Sequence, residues 1–214
     1  MLCKQAWNLC EDLFVQMKQH PFNAGLKNGT LDSAKFHCYI QQDSLYLIDF
    51  ARVLASAAAK AEKSSHINKL LGFAKDAIAM EQDMHKSFNI NFDTKKSTAC
   101  FVYTNFLLAV AGTGSLIETL AAVLPCFWYY QELGSYMKKD VAKSNPYASW
   151  IDLYSSKEIE EITKSFIKLV NELSKDIAPN SYLEKRFLEN FRKSAELEIF
   201  FWNDAYNYNQ KKLC

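Results

Sequence analysis

Apolar residues recur at three-and-four spacing over nearly all of the 214 residues, the period of α-helices that each bury one face. From Leu2 to about Met17 the inward set is Ala6, Leu9, Cys10, Leu13, Phe14 and Met17, and His20-Pro21-Phe22 ends the run. Asn28-Gly29 marks a turn. Nothing then breaks the chain from Leu31 to about Lys63, where Phe36, Tyr39, Ile40, Asp43, Tyr46, Leu47, Phe50, Val53 and Leu54 share a face. Ser64-Ser65 suits the cap of a helix to about Phe88, with Ile67, Leu70, Leu71, Ala74, Ala77, Ile78 and Met84 inward, and Asn89 to Thr94 connects. Ser97 to about Val141 is the most apolar third, divided at Gly112-Thr113-Gly114 and predicted to kink at Pro125. A short element holds Trp150 to Tyr154, Ser156 caps a helix to about Lys175, and Pro179-Asn180 breaks it. A last helix, about Tyr182 to Tyr208, should bury Phe187, Phe191, Ala195, Glu198, Phe201, Trp202 and Ala205. No repeat or linker separates these elements, so the expectation is an all-α, single-domain helical bundle of seven or more helices spanning 1–214.

Composition agrees with the pattern. Hydrophobic residues are 49% and charged residues 23%, which argues against disorder and membrane residence, and six glycines with four prolines are too few for the turns of a sandwich or barrel. With 25 basic and 24 acidic residues scattered along the chain, no footprint for nucleic acid or anionic lipid is present. The opening MLCKQAWNLCEDLF places acidic residues before any apolar run long enough for a signal peptide, and no stretch of about 18 apolar residues follows; a cytosolic protein is expected. The six cysteines, Cys3, Cys10, Cys38, Cys100, Cys126 and Cys214, lie far apart without a C-x-x-C pair, which argues for reduced thiols rather than disulfides or a zinc site.

Candidate chemistry lies where polar groups fall on apolar faces. Asp43 shares a face with Phe36, Tyr39, Tyr46 and Phe50, and Glu198 sits within Leu197-Glu198-Ile199-Phe200-Phe201-Trp202; a carboxyl in such a place is desolvated, which raises its pKa toward the range useful for acid-base work, although a structural hydrogen bond serves equally well as its reason. Glu118 meets the same criterion. Cys126 follows Pro125 and, if the proline opens a new helical segment, stands near free N–H groups that lower a thiol pKa; otherwise it is a small apolar filler. Tyr130, four residues on, shares its face. His20, His37, His66 and His85 are dispersed, and Glu81 with His85 is an isolated helical pair. No phosphate-binding loop, dinucleotide fingerprint, G-x-S-x-G elbow or H-E-x-x-H occurs.

These residues resemble a known family. His20-Pro21-Phe22, Tyr39-x-x-Gln42-Asp43-x-x-Tyr46-Leu47 and Phe50-Ala51-Arg52 are similar to the opening of the TenA (thiaminase II) family. Tyr103-Thr104, Gly114-Ser115, Leu124-Pro125-Cys126-Phe127-Trp128-x-Tyr130-x-Glu132-Leu133-Gly134, Trp150-Ile151-x-x-Tyr154 and Glu198-x-x-Phe201-Trp202 continue the match in order. The resemblance implies a helical haem-oxygenase-like fold, a homotetramer, and hydrolysis of thiamin or 4-amino-5-aminomethyl-2-methylpyrimidine to the hydroxymethyl pyrimidine without a cofactor or metal. It implies Cys126 as nucleophile, placing the chain in the cysteine branch, and Glu198 as acid-base residue. Asp43 would hold the aminopyrimidine edge, and Tyr46, Tyr103, Tyr130, Tyr154 and Phe201 would line the pocket. Leu197, where a tyrosine often precedes the glutamate, and Asp204, in place of an apolar residue, depart from the pattern. Two other readings stand beside it: a metal or redox protein on the same fold using Glu81, His85 and Glu118, and a non-catalytic pyrimidine-binding regulator.

Overall fold

The computed structural model describes residues 1–88, 94–142 and 144–207, without the side chains of 81 and 83–88. Among the described residues it has ten α-helices and no strand: α1 (Leu2–Leu9), α2 (Glu11–Gln19), α3 (Pro21–Asn28), α4 (Ser33–Ala59), α5 (Ser64–Phe88), α6 (Thr98–Thr113), α7 (Leu116–Lys138), α8 (Ala148–Tyr154), α9 (Lys157–Leu173) and α10 (Tyr182–Tyr206). No helix of the described residues is long and apolar enough to cross a membrane.

The long helices begin where a side chain takes up a free N–H. Asp32, Ser97, Ser115, Ser156 and Ser181 each accept from the first turn of α4, α6, α7, α9 and α10. α3 starts on Pro21, is capped by His20 Nδ1 accepting from Phe22 N at 3.2 Å, and stops at Gly29, whose φ of 72° is the left-handed conformation glycine adopts without strain.

Three expectations need correction. The first predicted helix is two, because the chain breaks at Cys10; the freed Leu9 carbonyl accepts from Arg192 Nη1 at 3.0 Å, and Cys10 O, which already accepts the Leu13 and Phe14 N–H groups that open α2, accepts from the Tyr129 hydroxyl at 3.2 Å as well. Leu9 and Leu71, both expected inside, are exposed. Pro125 does not interrupt α7. It withholds one N–H from the helix, and hydroxyls of neighbouring helices bond carbonyls on either side of it, Ser194 to Ala122 O at 2.5 Å and Thr163 to Phe127 O at 3.2 Å. The expected connector at 89–93 and Met84 lie outside the described residues.

α7 is the central element: it packs on α4, α6, α8, α9 and α10, and both sides of its middle are buried. Such a helix has little amphipathic pattern, which is why its stretch of sequence reads as uniformly apolar. α4, α6 and α10 enclose one side of it and α8 and α9 the other, so five helices deliver side chains to the same interior region.

Candidate active site

A cavity of about 70 Å³ lies beside the middle of α7, and Asp43, Cys126, Tyr130 and Tyr154 are on its wall. Asp43 comes from α4, Cys126 and Tyr130 from one face of α7 at the four-residue spacing, and Tyr154 from the last turn of α8. The remaining predicted residues, Tyr46, Tyr103, Glu198 and Phe201, form a second layer behind this wall. They are in contact with one another: the Tyr46 ring centroid lies 4.9 Å from Tyr103 and 6.0 Å from Phe201, and the Tyr103 hydroxyl is 2.7 Å from Glu198 Oε1. The eight residues named from sequence thus converge.

The electrostatics follow from burial. Asp43 is 5% exposed, its Oδ2 makes no hydrogen bond, and desolvation pushes its carboxyl up to about 7. Glu198 is 2% exposed and raised to about 8, first by desolvation and further by Asp43, while the hydroxyls of Tyr103 and Tyr130 work against the rise. Near neutral pH these two carboxyls therefore exchange protons readily, a property unusual for the residue type and suited to acid-base work.

Cys126 corrects a prediction. It sits ten residues into α7 rather than at a helix start, so no free N–H groups surround it. Desolvation, then the charges of Glu198 and Asp43, push its thiol well above the ordinary range, with only the nearby Tyr46 hydroxyl opposing. It is half-buried and lies on the cavity wall. Cys3, Cys10, Cys38 and Cys100 are raised too, so Cys126 is distinguished by place, not acidity. Cys214 lies outside the described residues.

Glu118, the third candidate, has a structural role. It accepts from the Ser115 N–H and hydroxyl at 2.8 and 2.9 Å as the partner of a capping box, and from Arg186 Nε at 3.0 Å. The side chains of Glu81 and His85 lie outside the described residues, and among those described no three His, Cys, Asp or Glu side chains come together as a metal site.

The structure adds residues that pattern reading did not single out for the site. Phe73 and Met80 of α5, Ile159, Ile162 and Thr163 of α9, and Phe127 complete the cavity wall, with exposed Asp76 beside them. They are ordinary inward positions of their helices, and nothing in their spacing tells a cavity wall from a core. Behind the site, Tyr39 stacks on Trp202 at 4.6 Å between centroids, and Trp150 approaches Tyr154 at 4.5 Å, a rigid aromatic backing for the wall.

Gly134 sets the position of Tyr154. A Cβ there would lie 2.5 Å from the Tyr154 carbonyl carbon, 2.7 Å from its Cβ and 2.8 Å from its carbonyl oxygen, so α8 rests directly on the bare backbone of α7. Gly134→Ala should cost about 2–3 kcal/mol, read as a fall in thermal midpoint of roughly 4–12 °C, because backbone must move to admit the methyl. Any ligand whose binding depends on Tyr154 should weaken in parallel.

Comparison with known proteins finds relatives over most of the chain. An aminopyrimidine aminohydrolase of Halalkalibacterium halodurans is 34% identical over 88% of each chain. A crystal structure of a TenA family transcription regulator from a Silicibacter species superposes with a TM-score of 0.89 at 27% identity, covering 97% of both chains. A Shewanella denitrificans domain of unknown function with a haem-oxygenase-like fold superposes at 0.66 and 12% identity over 96% of this chain and 90% of that one, which bears on the fold alone. The fold is the haem-oxygenase-like helical one, the family model TENA/THI-4/PQQC matches residues 8–208, and the chain belongs to that family.

Proposed function

We propose that this protein is a thiamin salvage hydrolase that converts 4-amino-5-aminomethyl-2-methylpyrimidine, and thiamin as a related substrate, to 4-amino-5-hydroxymethyl-2-methylpyrimidine, with Cys126 as nucleophile. The observation that carries the reading is a cavity walled by a thiol, the Asp43 carboxyl and tyrosine rings, with a second buried carboxyl, Glu198, in the layer behind it, in a chain 34% identical to an aminopyrimidine aminohydrolase.

The chemistry follows from the ring. A leaving group on the methylene of an electron-poor pyrimidine departs readily only once the ring is electron-rich. Adding the Cys126 sulfur to a ring carbon while Glu198 gives its proton to the adjacent nitrogen achieves this, and the ionised Glu198 then takes the thiol proton. The raised thiol fits this order, since a neutral thiol is stable beside two carboxyls until substrate arrives. Electrons from the protonated nitrogen expel the amine or thiazole. Water adds to the exocyclic methylene and its proton passes to the departed amine or to solvent; the sulfur then leaves, taking its proton back from Glu198, and Glu198 accepts the nitrogen proton, which restores the aromatic ring. The free carboxyl oxygen of Asp43 is available to the amino group of the pyrimidine, and the tyrosine rings stack on the ring and exclude bulk water.

Release of the hydroxymethyl pyrimidine from each compound, followed chromatographically, tests the reading. Product from either supports it, and the better substrate names the leaving group; binding of the pyrimidine without product would instead make the protein a binder. The whole of 1–214 would act as one catalytic domain, and the five free cysteines of the described residues suit a reducing compartment such as the cytosol. Homotetramer assembly is supported by the outer face of α6, where Phe101, Val102 and Leu108 are exposed opposite a fully packed inner face. Sedimentation should find a species of four chains; a monomer at micromolar concentration would sink that part.

A further inference from the structure

Glu198 ends a chain of close oxygen contacts that the proposed reaction does not itself require. Its Oε1 is 2.7 Å from the Tyr103 hydroxyl, which is 2.7 Å from the Ser194 hydroxyl, which is 2.5 Å from the carbonyl of Ala122. All three side chains are essentially sealed from bulk solvent. Ser194 stands one helical turn before Glu198 on the same face of α10, and Ala122 stands one turn before Cys126 on α7.

The protons on this chain can be counted. Three contacts at hydrogen-bond distance need three hydrogens, and the two hydroxyls carry two. With Glu198 ionised, Tyr103 donates to it, and the single Ser194 proton serves either Tyr103 or Ala122, leaving two oxygens facing each other without a hydrogen. With Glu198 protonated, the carboxyl donates to Tyr103, Tyr103 to Ser194 and Ser194 to Ala122, and every contact is filled. We propose that Ser194 is a positioning residue that holds Glu198 in its acid form by completing this chain to the backbone one turn ahead of the nucleophile.

Other groups around Glu198 do not provide this preference in the same way. Asp43 and Tyr46 face it from α4, Cys126, Tyr129 and Tyr130 from α7, and Tyr154 from α8. Asp43 favours the acid form through its charge, and the Tyr130 hydroxyl favours the ionised form. Tyr46 also bears on the Tyr103 hydroxyl, but Ser194 differs in its tie to the Ala122 carbonyl, which is what makes the direction of the Tyr103 proton matter.

The inference rests on the acid role proposed for Glu198, yet its test does not need turnover. Infrared titration of the protonated carboxyl band that Glu198→Gln abolishes reads the residue directly. In Ser194→Ala, Tyr103 is free to donate to the carboxylate with no contact left unfilled, so the band should titrate about one pH unit lower than in wild type. The smaller side chain fits the same space, and Ser194→Thr, which keeps the hydroxyl, should titrate as wild type does. If the enzyme turns over aminopyrimidine, the alkaline fall of kcat/KM should move down with the band while the rate near pH 6 stays within about twofold. An unmoved band in Ser194→Ala overturns the proposal even if activity drops. An absent activity with a shifted band overturns the proposed function and leaves the chain of protons standing.

Discussion

Cys126→Ala should lower kcat by at least about a hundredfold and leave pyrimidine binding within about threefold of wild type. The sulfur lies on the cavity wall at the middle of α7, where removing one atom leaves the helix, the Pro125 region and the carboxyls in place. Alanine also suits a helix better than cysteine, so a folding defect is not the expected outcome. Without the sulfur the ring has no means of becoming electron-rich before the leaving group departs, and the carboxyls have only water to activate. Calorimetric binding of the product pyrimidine alongside steady-state turnover separates the two effects. Equal turnover in variant and wild type would remove covalent catalysis from the scheme.

Glu198→Gln should lose activity to a similar degree and, unlike most active-site losses, gain stability at alkaline pH. Glutamine keeps the shape and can still bond Tyr103, yet it has no proton to give the ring. The sign of the stability change follows from linkage. The carboxyl titrates near 8 in the folded protein against an ordinary 4.5, so between those values the folded state binds more proton than the unfolded one. Its contribution is complete below about 4.5 and is lost as pH rises through 8. The raised value corresponds to roughly 3–5 kcal/mol across that window. Asp43, raised to about 7 from 3.8, acts in the same direction and is retained in the variant. Urea unfolding at pH 5 and pH 9 should show the wild type losing much more stability than Glu198→Gln over the interval. Parallel pH dependence in the two proteins would mean that Glu198 is not held as a desolvated acid.

The two expectations show how sequence and structure divide the site between them. Asp43 and Glu198 were legible because a carboxyl interrupting a three-and-four apolar face has few reasons to be there, and both prove to be buried with raised carboxyls. The same criterion also selected Glu118, and only coordinates show it satisfied by Ser115 and Arg186 as a helix cap. For Cys126 the local reading erred in mechanism: a proline next to the thiol suggested a helix start, whereas α7 runs unbroken through Pro125. Propensity is a local preference, and packing on both sides of the helix outweighed it.

The sequence alone determined the helical class, most helix boundaries, the buried face of most helices and, through family resemblance, the eight residues that meet at the site. The class, the boundaries and the buried faces depend on periodicity and capping, which act within a few residues. Only the tertiary structure decided the break at Cys10, the contact of Gly134 with Tyr154, the cavity wall drawn from α5 and α9, and the link from Glu198 through Ser194 to α7. Each joins residues far apart in the chain, where hydrogen-bond demand and volume set the outcome and no local pattern records the partner.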